Sequence, residues 1–234
     1  WLNWVGHVLI KNIELSIGGQ LIDQQTGEWL HIWNELTQTA EHAAAYAEMV
    51  GNVPRLTQIQ SSNSGASDST GTTDSYTLYI PMQFWFCRHA GLALPIISLQ
   101  YSDVKLNIQL RSLDECIWAT KQDSNTSYQS STGAAALDGT NKLSDTYLYV
   151  DYIFLDTAER RRFAQVQHEY LIEQTYQTKT KTISTGETSN TVSFKFNHPV
   201  KELIWLVQPE TFFKGGYSQS RGGKQWFNYT DCWD

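Results

Sequence analysis

The pair His168-Glu169 opens like the HExxH helix of zinc peptidases. There, two histidines four apart grip a metal and the glutamate serves as base. Here Ile172 stands where the second histidine belongs. The run His168–Tyr176 also has the aromatic and β-branched character of a strand, on which that spacing makes no ligand pair. The six histidines are scattered, and no H-x-H pair occurs. Cys87 and His89 lie two apart on a strand-like run and so share a face. A thiol nucleophile needs such a pair plus an orienting group in a pocket; a buried thiol at a strand end uses the same residues without chemistry. GxSxG, GxxxxGK[ST] and GxGxxG are all absent, and Gly215-Gly216 and Gly222-Gly223 lack the Lys-Ser/Thr of a phosphate loop. No catalytic centre, cofactor or metal is expected.

Two features invite contact rather than catalysis. Arg160, Arg161 and Arg162 form the one compact basic cluster. It suits nucleic acid or an acidic neighbour, or else a solvated turn balanced by Asp156 and Glu159. Asn125-Thr126-Ser127 and Asn228-Tyr229-Thr230 are glycosylation sequons, which makes Asn125 and Asn228 candidate glycan sites.

Composition narrows the class. With 17 basic and 24 acidic residues the net charge is −7, a poor balance for wrapping DNA phosphates, so no direct nucleic-acid partner is expected. Nine tryptophans and 13% aromatic residues suit broad β-surfaces and interfaces. Cys87, Cys116 and Cys232 form no CxxC or metal spacing, and so sparse a set suggests reduced thiols. No apolar run reaches the roughly 18 residues that span a bilayer, and no signal peptide is expected within these residues. The chain opens on Trp1 already close to a strand pattern, and the expectation is an internal fragment of a longer protein. Expressed alone, such a fragment is expected to aggregate through unpaired strand edges.

The elements that would position these residues are mostly strands. Val8–Ile17 alternates, with Leu9, Ile13, Leu15 and Ile17 on one face, and Gly18-Gly19 ends it. Trp29–Leu36 reads as a short helix with Leu30 and Trp33 inward, and Glu41–Val50 as a second, closed by Gly51. Tyr76–Cys87 reads as a strand with Leu78, Ile80, Met82, Phe84 and Phe86 on one side and Pro81 marking an edge or bulge. In Ile96–Leu110, Val104, Leu106, Ile108 and Leu110 alternate with polar residues. Tyr147–Leu155, His168–Tyr176, Val192–Phe196 and Leu203–Val207 are further strands. Between the first two, Asp156 followed by Glu159 signals a helix start, and Ala158–Phe163 makes about two turns. Ser61–Ser75 and Asn125–Ser144 are polar loops with little to bury, expected to face solvent and to be the least ordered parts. Lys121–Ser144 as a whole, Lys179–Asn190 and Gly215–Gly223 also read as loop or hairpin. Short helices between many strands favour an all-β, antiparallel sandwich.

Four stretches carry a resemblance: Gly6–Asn34, Leu78–Leu110, Tyr147–Tyr176 and, more weakly, Phe196–Gln208. In this order they resemble the major capsid proteins of nucleocytoplasmic large DNA viruses, the phycodnavirus and mimivirus-like group. VDYIFLDTAERRRFA followed by HEYLIEQ is similar to the join between that family's two jelly rolls. The resemblance implies a double jelly roll in the parent protein. Residues 1–156 would be the first roll without its opening strands, residues 157–167 the bridge, and residues 168–234 the start of an incomplete second roll. It further implies a structural virion protein, not an enzyme, forming homotrimeric, pseudo-hexameric capsomers that tile an icosahedral shell. Partners would be neighbouring capsomers and minor capsid proteins, and assembly would occur in the host cytoplasm. The two Ser-rich loops resemble insertions that decorate the outer surface. Three alternatives remain beside this: a sugar-binding, lectin-like sandwich, in which several tryptophans would line one concave face; a jelly-roll metalloenzyme, which would require a convergent His/carboxylate set; and a minor capsid or scaffold protein of the same fold.

Overall fold

The computed structural model describes residues 1–58, 75–117, 119–122, 128–131, 143, 145–178, 180–214 and 224–230. Its centre is β1 (Ile10–Ile17), which pairs antiparallel with both β2 (Gln20–Gln25) and β3 (Val104–Leu110) in the order β2-β1-β3. Gly18 and Gly19 turn the chain between β1 and β2 at φ of 58° and 80°, values that cost an L side chain but not glycine. A second antiparallel pair joins β4 (Ala119–Gln122) to β5 (Tyr128–Ser131). Every described ladder is antiparallel, and short helices fill the connections, which is the class expected.

The inward face of β1 organises the core. Ile10, Ile13 and Leu15 are buried together with Leu30, Phe84 and Trp85, and Ile80, Met82, Leu106 and Ile172 pack around them. A second cluster joins Leu2, Val5, Val8, Leu9, Leu56 and Cys116. Val5, Val8 and Leu9 lie on α1 (Val5–Leu9), so the expected strand from Val8 begins two residues late, at Ile10. Apolar residues at Val5, Val8 and Leu9 have i, i+3, i+4 spacing, a helical signal that the neighbouring strand alternation obscured.

α2 (Gly27–Thr37) and α3 (Ala40–Val50) match the expected helices. The Thr26 side chain caps α2 by accepting from Trp29 N, and Gly51 closes α3 at φ 79°. On α2 the buried face is Gly27, Leu30, His31 and Asn34; Trp33, expected inward, is half-buried. At Gly27 the helix crosses so close that an added Cβ would lie 2.0 Å from the His7 carbonyl oxygen and 2.5 Å from that of Ile10.

Other expectations need correction. Residues 75–84 run extended without a ladder, although Leu78, Ile80, Met82, Phe84 and Phe86 do turn to the core as the alternation implied. Pro81 has no N–H to give a ladder, and the Gln83 N–H donates to the Gln25 side chain and that of Tyr79 to the Met49 carbonyl. Short helical turns flank this run: α4 (Pro54–Thr57) precedes it and α5 (Trp85–Arg88) ends it. Ile96–Ser102 forms turns, and only Val104–Leu110 pairs as a strand. The supposed loop from Lys121 contains the β4–β5 hairpin, and α6 (Leu113–Cys116) leads into it. Apart from Leu143, which is exposed, the remainder of Asn125–Ser144, and Ser61–Asp74 and Gly215–Gly223, lie outside the described residues.

α7 (Thr157–Gln165) is the expected helix after Asp156, whose side chain accepts from Glu159 N at 2.8 Å. On either side, Tyr147–Leu155, His168–Tyr176, Val192–Phe196 and Leu203–Val207 join no ladder among the described residues. Phe154 is 92% and Trp205 84% exposed. Period-two patterning specifies a strand's faces but not its partner, and these segments find no partner strand in the described chain. α8 (Glu210–Lys214) is the last helix.

Replacing Gly27 with Ala forces α2 away from β1. The expected loss is about 3 kcal/mol, the upper range for overpacking, measured by denaturant or thermal unfolding of the full-length protein. A change below roughly 0.5 kcal/mol, the size of an ordinary surface substitution, would contradict this close crossing.

Candidate functional site

The residues singled out for chemistry do not converge. The His89 ring caps its own turn, its Nδ1 accepting from Gly91 N at 2.9 Å, while Cys87 is exposed and burial of its sulfur still raises the thiol above its ordinary value. His168 stacks on Phe163 at 4.7 Å, and Ile172 is committed to the core. Arg160, Arg161 and Arg162 are exposed on α7 and make no ion pair with Asp156 or Glu159 among the described residues; Asp156 caps the helix instead. Asn228 is only 6% exposed, its Nδ2 donating to Gln225 Oε1 and its Oδ1 accepting from the Thr230 backbone and hydroxyl. Asn125 lies outside the described residues. Among the described residues no group of three His, Cys, Asp or Glu side chains is placed to hold a metal. No described helix is long and apolar enough to cross a membrane.

What the fold does assemble is a seam between residues before α7 and residues after it, in two zones. In the first, the segment His168–Tyr176 lies against β2. Asp23, buried, accepts from Gln24 N and Thr175 N, each at 2.9 Å. Gln174 Nε2 donates to the Ile22 carbonyl at 2.6 Å. Burial raises the Asp23 carboxyl, and these hydrogen bonds together with Arg88 oppose the rise. Arg88 lies 4.0 Å over the Trp33 ring, donates from Nε and Nη2 to the Gln83 carbonyl, and reaches Glu173 at 3.0 Å. Glu173 also meets Lys201. The Lys201 ammonium first, then Arg88, hold the Glu173 carboxyl below its ordinary value.

In the second zone, residues 224–230 fold back over α1 and α2. His31 stacks on Phe227 at 4.3 Å and faces Tyr229 at 6.1 Å. His7 stacks on Trp4 at 5.8 Å, lies 5.7 Å from His31 and hydrogen-bonds through Nε2 to the Tyr46 hydroxyl at 2.8 Å. Trp4 adopts a left-handed conformation, φ 56°, to reach this position. Trp226 Nε1 donates to the Glu115 carbonyl, Arg111 lies 4.6 Å over the Trp226 ring, and Lys224 Nζ donates to the Ile117 carbonyl. Gln208 Nε2 gathers the carbonyls of Gln225, Trp226 and Asn228. A small open cleft of about 80 Å³ runs along this edge between Leu2, Trp4, Val8 and Phe227. Burial lowers His7 to about 3, with His31 adding to the shift, and lowers His31 to about 4. Both rings are therefore neutral at pH 7.

Sequence reasoning missed His7 and His31, because their spacing of 24 residues belongs to no motif. The available signal was on α2, where Gly27, Leu30, His31 and Asn34 have the i, i+3, i+4, i+7 spacing of one helical face.

The seam is built from packing and hydrogen bonds, and the comparisons name the family that carries it. Residues 1–156 match the family model described as the major capsid protein N-terminus, and residues 159–231 match that of the large eukaryotic DNA virus major capsid protein. The chain belongs to this major capsid protein family of large eukaryotic DNA viruses, a family of structural proteins rather than enzymes. It is 42% identical over its whole length to the major capsid protein of Phaeocystis pouchetii virus, covering 48% of that protein. It is 44% identical to that of Chrysochromulina ericina virus, again over its whole length and covering 43% of the relative. A quasi-atomic model of the PBCV-1 virus capsid is similar over 74% of this chain and 35% of its own, at 31% identity and a TM-score of 0.49. The chain thus spans less than half the length of these curated relatives.

The two kinds of contact along the first zone separate by mutation. Asp23→Ala strands the Thr175 and Gln24 N–H groups in a buried setting and is expected to cost about 1–3 kcal/mol. Glu173→Ala removes a carboxylate whose side chain is 47% exposed, so its ion pairs are worth less than about 1 kcal/mol. Unfolding free energies of the two variants check the order, and a larger loss for Glu173→Ala would reverse the assignment.

Proposed function

We propose that this chain supplies most of the first jelly roll, the bridge and the opening of the second roll of a major capsid protein. Residues 1–156 are the first roll, residues 157–167 the bridge, and residues 168–234 the beginning of the second. The observation that carries this reading is the pair of consecutive family matches, which meet between residues 156 and 159, where Asp156 caps α7. The parent protein forms homotrimers of pseudo-hexagonal outline. These tile an icosahedral shell through contacts with neighbouring capsomers and minor capsid proteins, without direct contact to nucleic acid. Assembly takes place in the host cytoplasm, and the polar loops face outward, with Asn125 the more accessible glycan site.

Physical features of the chain support an assembling role. Antiparallel sheets with covered inner faces make rigid walls, and aromatic side chains supply contact area at low entropic cost. Two similar rolls repeated about a threefold axis present six walls, the outline that packs hexagonally. The tryptophan positions count against the lectin-like alternative. Among the described residues, Trp85 is in the core, Trp29 and Trp33 pair on α2, Trp226 lies under Arg111, and Trp205 is exposed.

The full-length protein is expected to be a trimer by native mass spectrometry and light scattering, with protomer contacts burying well over about 1,000 Å². A monomer at all concentrations would overturn the capsomer reading.

A further inference from the structure

We propose that the His7–His31 ring cluster is an acid-sensitive clasp. It holds residues 224–230 against α1 and α2 while both rings are neutral and releases them when the rings take up protons. The inference rests on the geometry of this chain and does not depend on the shell reading.

Both imidazoles are buried, at 0% and 4% exposure, and the Nδ1 atom of each is buried without a hydrogen-bond partner. A neutral imidazole tolerates this, since one ring nitrogen carries no proton. An imidazolium donates from both nitrogens and needs an acceptor at each. His7 Nε2 is already engaged by Tyr46, and the faces of both rings are covered by Trp4, Phe227 and Tyr229. Two cations 5.7 Å apart would also repel one another in a setting that screens poorly. Moving residues 224–230 away removes Phe227 and Tyr229, and solvates both rings at once.

Among the described residues, the groups around the cluster do not supply a counter-charge. From α3 comes the Tyr46 hydroxyl, pushed by burial to about 12 and so neutral. From residues 224–230 come Lys224, a cation held on the Ile117 carbonyl, and Tyr229, which burial and then Glu28 and Glu35 keep neutral. From α2 come those two carboxylates, which act on Tyr229 at the rim. The charge acting on His7 is that of His31, and burial alone accounts for His31. Arg111 sits beyond them, over Trp226 and near Glu28.

The direction with pH follows. The closed clasp lowers both histidines below their ordinary 6.5, to about 3 and about 4, so the closed state binds fewer protons than the open one. Its stability is complete above pH 6.5 and falls as the pH drops below that value, until the closed-state values are reached. Glu28 works the other way: burial raises its carboxyl, and its protonation at lower pH removes a buried charge.

Hydrogen exchange with mass spectrometry on the full-length protein, at pH 7.5 and pH 5 and expressed as protection factors, is the test. Peptides containing residues 4–9 and 224–230 are expected to open about 30-fold more per histidine at pH 5, the ratio set by protonation from 6.5. Peptides from β1 should stay protected. The variants His31→Phe, which keeps the stacking, and His7→Gln, which keeps a donor for Tyr46, should each remove part of the response. In the unmutated protein, C2 hydrogen exchange of the individual histidine rings should give midpoints well below 6.5 for His7 and His31, which decides the matter even if a variant fails to fold. Unchanged protection of residues 224–230 down to pH 5, or ring midpoints near 6.5, would overturn the proposal.

Discussion

The inward face of β1 is the constraint on which the rest depends. Ile13 and Leu15 have almost no exposed surface, and no single neighbouring element covers them. Leu30 arrives from α2, Phe84 and Trp85 from the extended run before and into α5, Leu106 from β3, and Ile172 from beyond α7. Burying one aliphatic side chain contributes roughly 1.5–3 kcal/mol, and here each contribution is shared among segments far apart in sequence. Loosening any one of them exposes the others. This is why the close crossing at Gly27 and the Asp23–Thr175 contact matter beyond their own size: each sets the distance at which a cover approaches β1.

The seam therefore serves the core. Ile172 enters the β1 cluster beside Gln174 and Thr175, which bond β2, and Glu173, which meets Arg88. One extended segment thus packs Ile172 inward and binds polar groups at the edge through the three residues that follow it. The far zone repeats the arrangement with rings in place of aliphatic side chains. Phe227 covers His31 while Trp226 and Gln208 pair the surrounding backbone. The charged interactions are mostly exposed and set register; the buried hydrogen bonds and ring contacts carry the stability.

The sequence disclosed what depends on local pattern. The cap at Asp156, the glycine at Gly51, the period of α2 and α3 and the alternation of Ile13 with Leu15 and of Val104 with Leu106 all declare themselves over a few residues. The inward face of residues 76–86 was also legible. Its missing ladder was not, because whether an extended run pairs depends on which strand lies beside it, and Gln25 and Met49 take its donors instead. The same holds for Tyr147–Leu155 and Leu203–Val207, whose apolar character is plain and whose partners are not. His7 and His31 escaped because only the fold brings them together, and a search for ligand motifs says nothing of two neutral rings held among aromatic neighbours. The family resemblance supplied the order of the parts, which local pattern alone could not.

The contact of Asp23 with Thr175 also has a meaning in time. It spans 152 residues of chain. On the ribosome, β1, β2 and α2 emerge early, but the segment that seals them is made 152 residues later. At about 5–20 residues per second that is a delay on the order of ten seconds or more, during which the face of Ile13 and Leu15 lacks one of its covers. Every copy of the protein would pass through this state as it is made. The burden falls on whatever shields nascent chains in the cell, and the length of that interval is written into the distance between β2 and the residue that closes it.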